Sequence, residues 1–169
     1  MLDLSPFFLL ALLAFVVQWL MFIPSWLFHT EKYFDLTGSL TYITLALLGM
    51  TILGNDDPRT MLIGILVIVW AARLGTFLFR RVSKAGEDRR FRQIKQSFPH
   101  LLFVWSLQGG WVTITFGAGL AAMTSDFYEP MGLFAAVGLI LWLTGFSIEV
   151  IADHQKTEFR SHPENQQRF

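Results

Sequence analysis

Five apolar runs joined by short polar connections leave this chain few ways to fold: Pro6 to Phe28, Leu40 to Leu53, Thr60 to Phe79, Leu101 to Met123 and Met131 to Ile151. About 20 apolar residues make a helix as long as a bilayer's hydrocarbon is thick, and hydrocarbon admits only structures that satisfy their own backbone polar groups. Most of the runs reach that length; Leu40 to Leu53 is shorter and rich in Thr and Gly. The expectation is an all-α, polytopic transmembrane bundle of about five spans, one domain covering residues 1–169. Composition agrees, since the 169 residues are 53% hydrophobic with a positive mean hydropathy, and the apolar residues lie in runs rather than at the spacing of a soluble core.

The same residues exclude several kinds of chemistry. There is no cysteine, so thiol catalysis, disulfides and thiolate metal sites are out. His29, His100, His154 and His162 include no i, i+4 pair, so no metal site is expected. Neither a P-loop nor the glycine pattern of soluble dinucleotide folds is present. A net charge of zero offers nothing to attract nucleic acid. The first residues, Met-Leu-Asp-Leu-Ser-Pro, lack a signal peptide's basic region and cleavage site, so the first run is expected to stay as a span. Pro6 suits a helix start, Pro24 is expected to kink or end that helix, and Trp19 and Trp26 suit an interfacial belt.

Lysine and arginine set the expected orientation. The connection from Arg80 to His100 holds seven (Arg80, Arg81, Lys84, Arg89, Arg90, Arg92, Lys95), the first connection holds Lys32, and the opposite side has Arg59. Five spans then put the N-terminus outside, and the basic connection and the C-terminal tail in the cytoplasm. Arg89-Arg90-x-Arg92 reads either as a topology determinant or as a site for anionic lipid. The glycines around Gln108-Gly109-Gly110, with Gly117 and Gly119, read as close helix packing or as a substrate-lining break.

Two places carry charges that hydrocarbon makes costly. Arg73 lies inside the third run, where it would either meet a partner such as Glu149 or Asp153, or snorkel to headgroups. At the end of the fifth run, Glu149, Asp153, Lys156 and Arg160 follow one another at i, i+4, i+7 and i+11, so a helix would place all four on one face. Two neighbouring carboxylates repel unless a cation, a proton or a polar ligand compensates them. A solvated helix end would display the same residues.

Three stretches resemble the bacterial membrane proteins of unknown function that are grouped with the steroid 5-alpha-reductases. They are Tyr33-Phe34-Asp35-Leu36-Thr37-Gly38-Ser39; Trp70-x-x-Arg73-Leu74 with Arg81 and Gly86-Glu87-Asp88-x-Arg90-Phe91; and Gly145-Phe-x-Ile-Glu149-x-x-Ala152-Asp153-x-Gln155-Lys156-x-x-Phe159. The resemblance implies an integral protein of the bacterial inner membrane that uses NADPH to reduce a carbon-carbon double bond conjugated to a carbonyl in a lipid or steroid-like substrate. It implies cofactor contacts at Asp153 and Arg160, with Glu149 and Lys156 on the same face, and a reaction chamber near Asp35, Trp70 and Arg73. Trp70 stands nearest to where the steroid enzymes carry a donor tyrosine, and indole N–H is no proton source at neutral pH. Glu149 stands where they carry an asparagine. The family continues through two more spans, so this chain resembles the first five of seven. A membrane S-adenosylmethionine-dependent methyltransferase and a non-catalytic membrane protein are the alternatives.

Overall fold

A computed structural model describes residues 5–51, 57–127 and 130–165. Helix α1 spans Pro6–Leu27, α2 Phe34–Thr51, α3 Pro58–Ala85, α4 Phe91–Ile94, α5 Phe98–Met123 and α6 Leu133–Ser161, with a 3-10 turn at Pro163–Asn165. The described residues are thus all-α, as expected.

Local chemistry accounts for the helix ends. The Ser5 hydroxyl accepts the Phe8 N–H at 3.4 Å, and Pro6 occupies the first turn, where a missing N–H costs nothing. Pro24 lies in the last turn of α1, which ends at Leu27, and His29 turns the chain with φ 48°. The Asp57 side chain caps α3 by accepting the Arg59 N–H at 3.1 Å. At the far end of α3, Gly86 takes φ 79°, which favours glycine, and its N–H bonds the Val82 carbonyl at 2.9 Å. Nothing before Gly86 breaks the helix, so α3 runs past the expected end at Phe79 and carries Arg80, Arg81 and Lys84.

The largest departure is α2. It begins at Phe34 rather than Leu40, so most of the Tyr33–Ser39 stretch is helix and not connection; residues 52 and 53 of the expected span lie outside the described residues. Where about five spans are expected, four helices among the described residues are long and apolar enough to cross a membrane: α1, α3, α5 and α6. The physical reason lies in the packing. α2 contacts α1, α3 and α5, and its Thr37, Ser39 and Thr41 are buried. A helix packed against three others need not be apolar all round, because the polar side chains of its packed face meet protein and not lipid. It still traverses the bundle. Phe34 packs near α4, and at the other end Gly49 lies against Met123.

The helices fall into two compact units, Met1–Tyr128 and Glu129–Phe169. The first has two apolar clusters. One joins Leu10, Ala14, Tyr42, Leu45, Ala46, Ala71, Val112, Phe116, Leu120 and Met123; the other joins Phe22, Phe91, Leu101 and Trp105. α5 is unbroken through Gln108-Gly109-Gly110. A Cβ on Gly109 would lie 3.1 Å from the Phe15 backbone, so this glycine serves the close approach of α1 and α5, whereas Gly117 borders open space. In the second unit α6 continues ten residues beyond the expected end at Ile151 and leads into the 3-10 turn.

Candidate functional site

The first family stretch and the Arg81 to Phe91 part of the second meet at one end of the first unit, where the α1–α2 connection, the start of α2, the end of α3 and the basic connection come together. Glu31 is at the centre, 5% exposed. One carboxylate oxygen accepts the Asp88 backbone N–H at 2.9 Å and the other accepts from the Lys95 ammonium at 2.9 Å. Around it, Tyr33 stacks on Phe79, and Phe34 packs on Phe91 at 4.9 Å and on Trp105 at 5.0 Å. Arg90 donates to Asp88 at 3.0 Å, and Arg92 pairs with Glu87. Those arginines hold the Asp88 and Glu87 carboxyls below their ordinary range.

Asp35 lies in the first turn of α2, with Arg81 at 3.9 Å. Burial pushes its carboxyl above the usual value of 3.8, against the opposing pull of Arg90 and Arg81. A raised folded-state pKa means that the folded chain holds the proton more tightly than the unfolded one. Stability therefore falls as pH rises from 3.8 through the folded value. Asp35→Asn, which carries no such cost, is expected to match or exceed the wild type in melting temperature at pH 7, with the advantage shrinking towards pH 4. Melts in detergent at the two values check this; a variant less stable at pH 7 than at pH 4, relative to wild type, would mean that attraction to Arg81 outweighs the cost of burying the carboxylate.

Deeper in the bundle, Trp70 meets Tyr42 edge to face at 5.0 Å, and the Tyr42 hydroxyl is hydrogen-bonded to Thr115. The Gln18 amide donates to Thr41 at 2.8 Å, and Thr41 donates to the Thr37 carbonyl at 2.7 Å. Gln108 donates to the Phe34 carbonyl at 3.2 Å. In this unit the buried Gln18 Oε1 and Trp105 Nε1 have no hydrogen-bond partner among the described residues. Arg73 lies with its guanidinium over the Phe77 ring at 5.4 Å. Trp70, Arg73 and Asp35 thus share one unit, with Trp70 in the apolar middle and Asp35 at the basic end.

The second unit carries the other group. Glu149, Asp153, Lys156 and Arg160 all fall within α6 and share one helix face, as expected from their spacing. Glu149 and Asp153 are half-buried; Lys156 and Arg160 are exposed. The Thr157 hydroxyl donates to the Asp153 carbonyl at 2.7 Å, a bond within the helix.

Glu31, Lys95, Tyr42, Gln18 and Trp105 do not stand out as site residues in the sequence. A glutamine inside an apolar run, as at Gln18, is nonetheless a readable signal, because a polar side chain in a span needs a partner. Nothing in a linear pattern links Glu31 to Lys95, 64 residues away.

The family described as protein of unknown function (DUF1295) matches residues 21–169. Neither the curated proteins nor the solved structures gave a match. The matched region takes in α2 to α6 whole, with the Glu31 cluster, Trp70, Arg73 and the charged face of α6, and on that extent the chain belongs to the DUF1295 family.

Proposed function

We propose that this membrane protein acts as an NADPH-dependent oxidoreductase on the conjugated double bond of a lipid or steroid-like carbonyl compound, with its basic face and C-terminal tail in the cytoplasm. The resemblance to the steroid 5-alpha-reductases supplies the reaction. The observation that carries it is the charged face of α6, which follows an apolar helical stretch without a break.

That face fits the cofactor in its donor set. Lys156 and Arg160 are exposed cations suited to phosphate oxygens, Arg through a planar fork and Lys as a point charge. Asp153 and Glu149 are carboxylates able to accept from ribose hydroxyls or a carboxamide. When bound, NADPH supplies the hydride. The chain's own task is to orient the carbonyl and stabilise the oxygen on which negative charge develops. Among the residues around Trp70, the Tyr42 hydroxyl is the group suited to this: a phenol can both donate a hydrogen bond and yield a proton, which indole cannot. Trp70 and Thr115 hold its ring and its oxygen. In an apolar, water-poor setting such a donor counts for more than it would in water.

Titrating NADPH into the detergent-purified chain tests the reading. Saturable binding is expected, weakened at least tenfold by Asp153→Ala and by Arg160→Ala, about 1.4 kcal/mol each. Tyr42→Phe is expected to leave that binding unchanged and to lower turnover of an enone lipid. Folded protein that binds no NADPH, or binds it equally well in both α6 variants, would overturn the assignment.

A further inference from the structure

The fold divides the seven cations between Arg80 and Lys95 into two groups. Four are matched inside the chain: Arg81 by Asp35, Arg90 by Asp88, Arg92 by Glu87 and Lys95 by Glu31. Arg89 acts on the Glu87 carboxyl. Arg80 and Lys84 have no carboxylate in ion-pair range among the described residues, and both are exposed. They stand one turn apart on the last turns of α3, where the helix dipole already favours cations and offers them no anion.

Their position on α3 indicates the missing anion. Met61, Ile65, Val69, Ala72, Thr76 and Arg80 are all exposed and recur every three or four residues, so they form one stripe along the helix, with Lys84 a turn further on. The stripe begins apolar, as acyl chains require, and ends in charge. At 28 residues α3 is about 42 Å long, and it exceeds a hydrocarbon core of about 30 Å by roughly two turns. Arg80 to Ala85 are the overhanging turns beyond the apolar stretch that ends at Phe79. Long aliphatic stems let Arg and Lys hold their charge at headgroup level while the methylenes stay in apolar surroundings.

We propose that Arg80 and Lys84 form a binding site for the phosphate of an anionic phospholipid headgroup, whose acyl chains lie along the Met61–Thr76 stripe. In the sequence the densest cluster, Arg89-Arg90-x-Arg92, reads as a topology determinant or an anionic-lipid site, but Arg90 and Arg92 are already paired with acids. The site is independent of the proposed reductase activity.

Native mass spectrometry of the detergent-purified chain with added phosphatidylglycerol or phosphatidylcholine tests it, with inorganic phosphate as competitor. The wild type is expected to retain phosphatidylglycerol at least tenfold better than phosphatidylcholine. Arg80→Gln with Lys84→Gln should lose that preference, while Arg80→Lys with Lys84→Arg, and separately Arg90→Gln with Arg92→Gln, should keep it. A preference that survives the Arg80/Lys84 glutamine pair, or falls equally in the Arg90/Arg92 pair, would overturn the site. Displacement of the lipid by millimolar phosphate would do so too, since it would reveal a free-phosphate site without need of the acyl chains.

Discussion

Glu31→Ala is expected to lower the unfolding free energy by about 3 kcal/mol, the largest effect of any charged residue at the basic end. Glu31 is 5% exposed and holds two otherwise distant groups, the Asp88 N–H and the Lys95 ammonium. Breaking a buried pair by removing one member costs roughly 3–5 kcal/mol, because the survivor is left uncompensated. The lower end applies because the Lys95 side chain is 21% exposed and can turn to water. That figure includes the Asp88 N–H, which would lose its acceptor at about 1 kcal/mol. Glu31→Gln keeps an acceptor for that N–H and gives up the charge pair, so it should cost about half as much. Reversible unfolding in mixed micelles measures both. A loss below about 1 kcal/mol for the alanine variant would mean that the aromatic packing of Phe34, Phe91 and Trp105 holds the basic connection without Glu31.

Trp105 offers the second large effect and a sharper contrast. It is 1% exposed and packs with Phe22, Phe91 and Leu101, with the Phe34 ring edge-on at 5.0 Å. Trp105→Ala would empty the centre of that cluster and is expected to cost about 3–5 kcal/mol. Trp105→Phe is expected to cost no more than about 1 kcal/mol. It loses some volume, but it also removes an indole N–H that has no acceptor among the described residues, and an unmade buried hydrogen bond carries a desolvation cost of about 1–3 kcal/mol. Should the phenylalanine variant prove as damaging as the alanine one, the N–H has a partner, and a buried water in the α1–α2–α5 seam is the first to look for.

Both effects arise from contacts between residues far apart in the chain, and the boundary between what was legible and what was not runs along that line. Gln18 and Gln108 could be noticed as polar residues within apolar runs; that Gln18 would meet Thr41 and Gln108 the Phe34 carbonyl could not. For the same reason Trp70 could be marked from its motif, while its neighbour Tyr42, on another helix, could not.

By itself the sequence determined that the chain is helical and built for a membrane, because runs of about 20 apolar residues leave no other way to satisfy the backbone. It also determined that Glu149, Asp153, Lys156 and Arg160 share one face of α6, since local helical geometry requires it. Tertiary structure alone decided that α2 starts at Phe34, ahead of its apolar run, and is more polar than a lipid-facing span, since the face it packs on α1, α3 and α5 answers to their side chains and not to the bilayer. It alone decided that Arg81 and Lys95 are matched by Asp35 and Glu31, because an ion pair depends on distance in space and these partners are brought together only when the chain has packed, whereas Arg90 and Arg92 find acids within five residues.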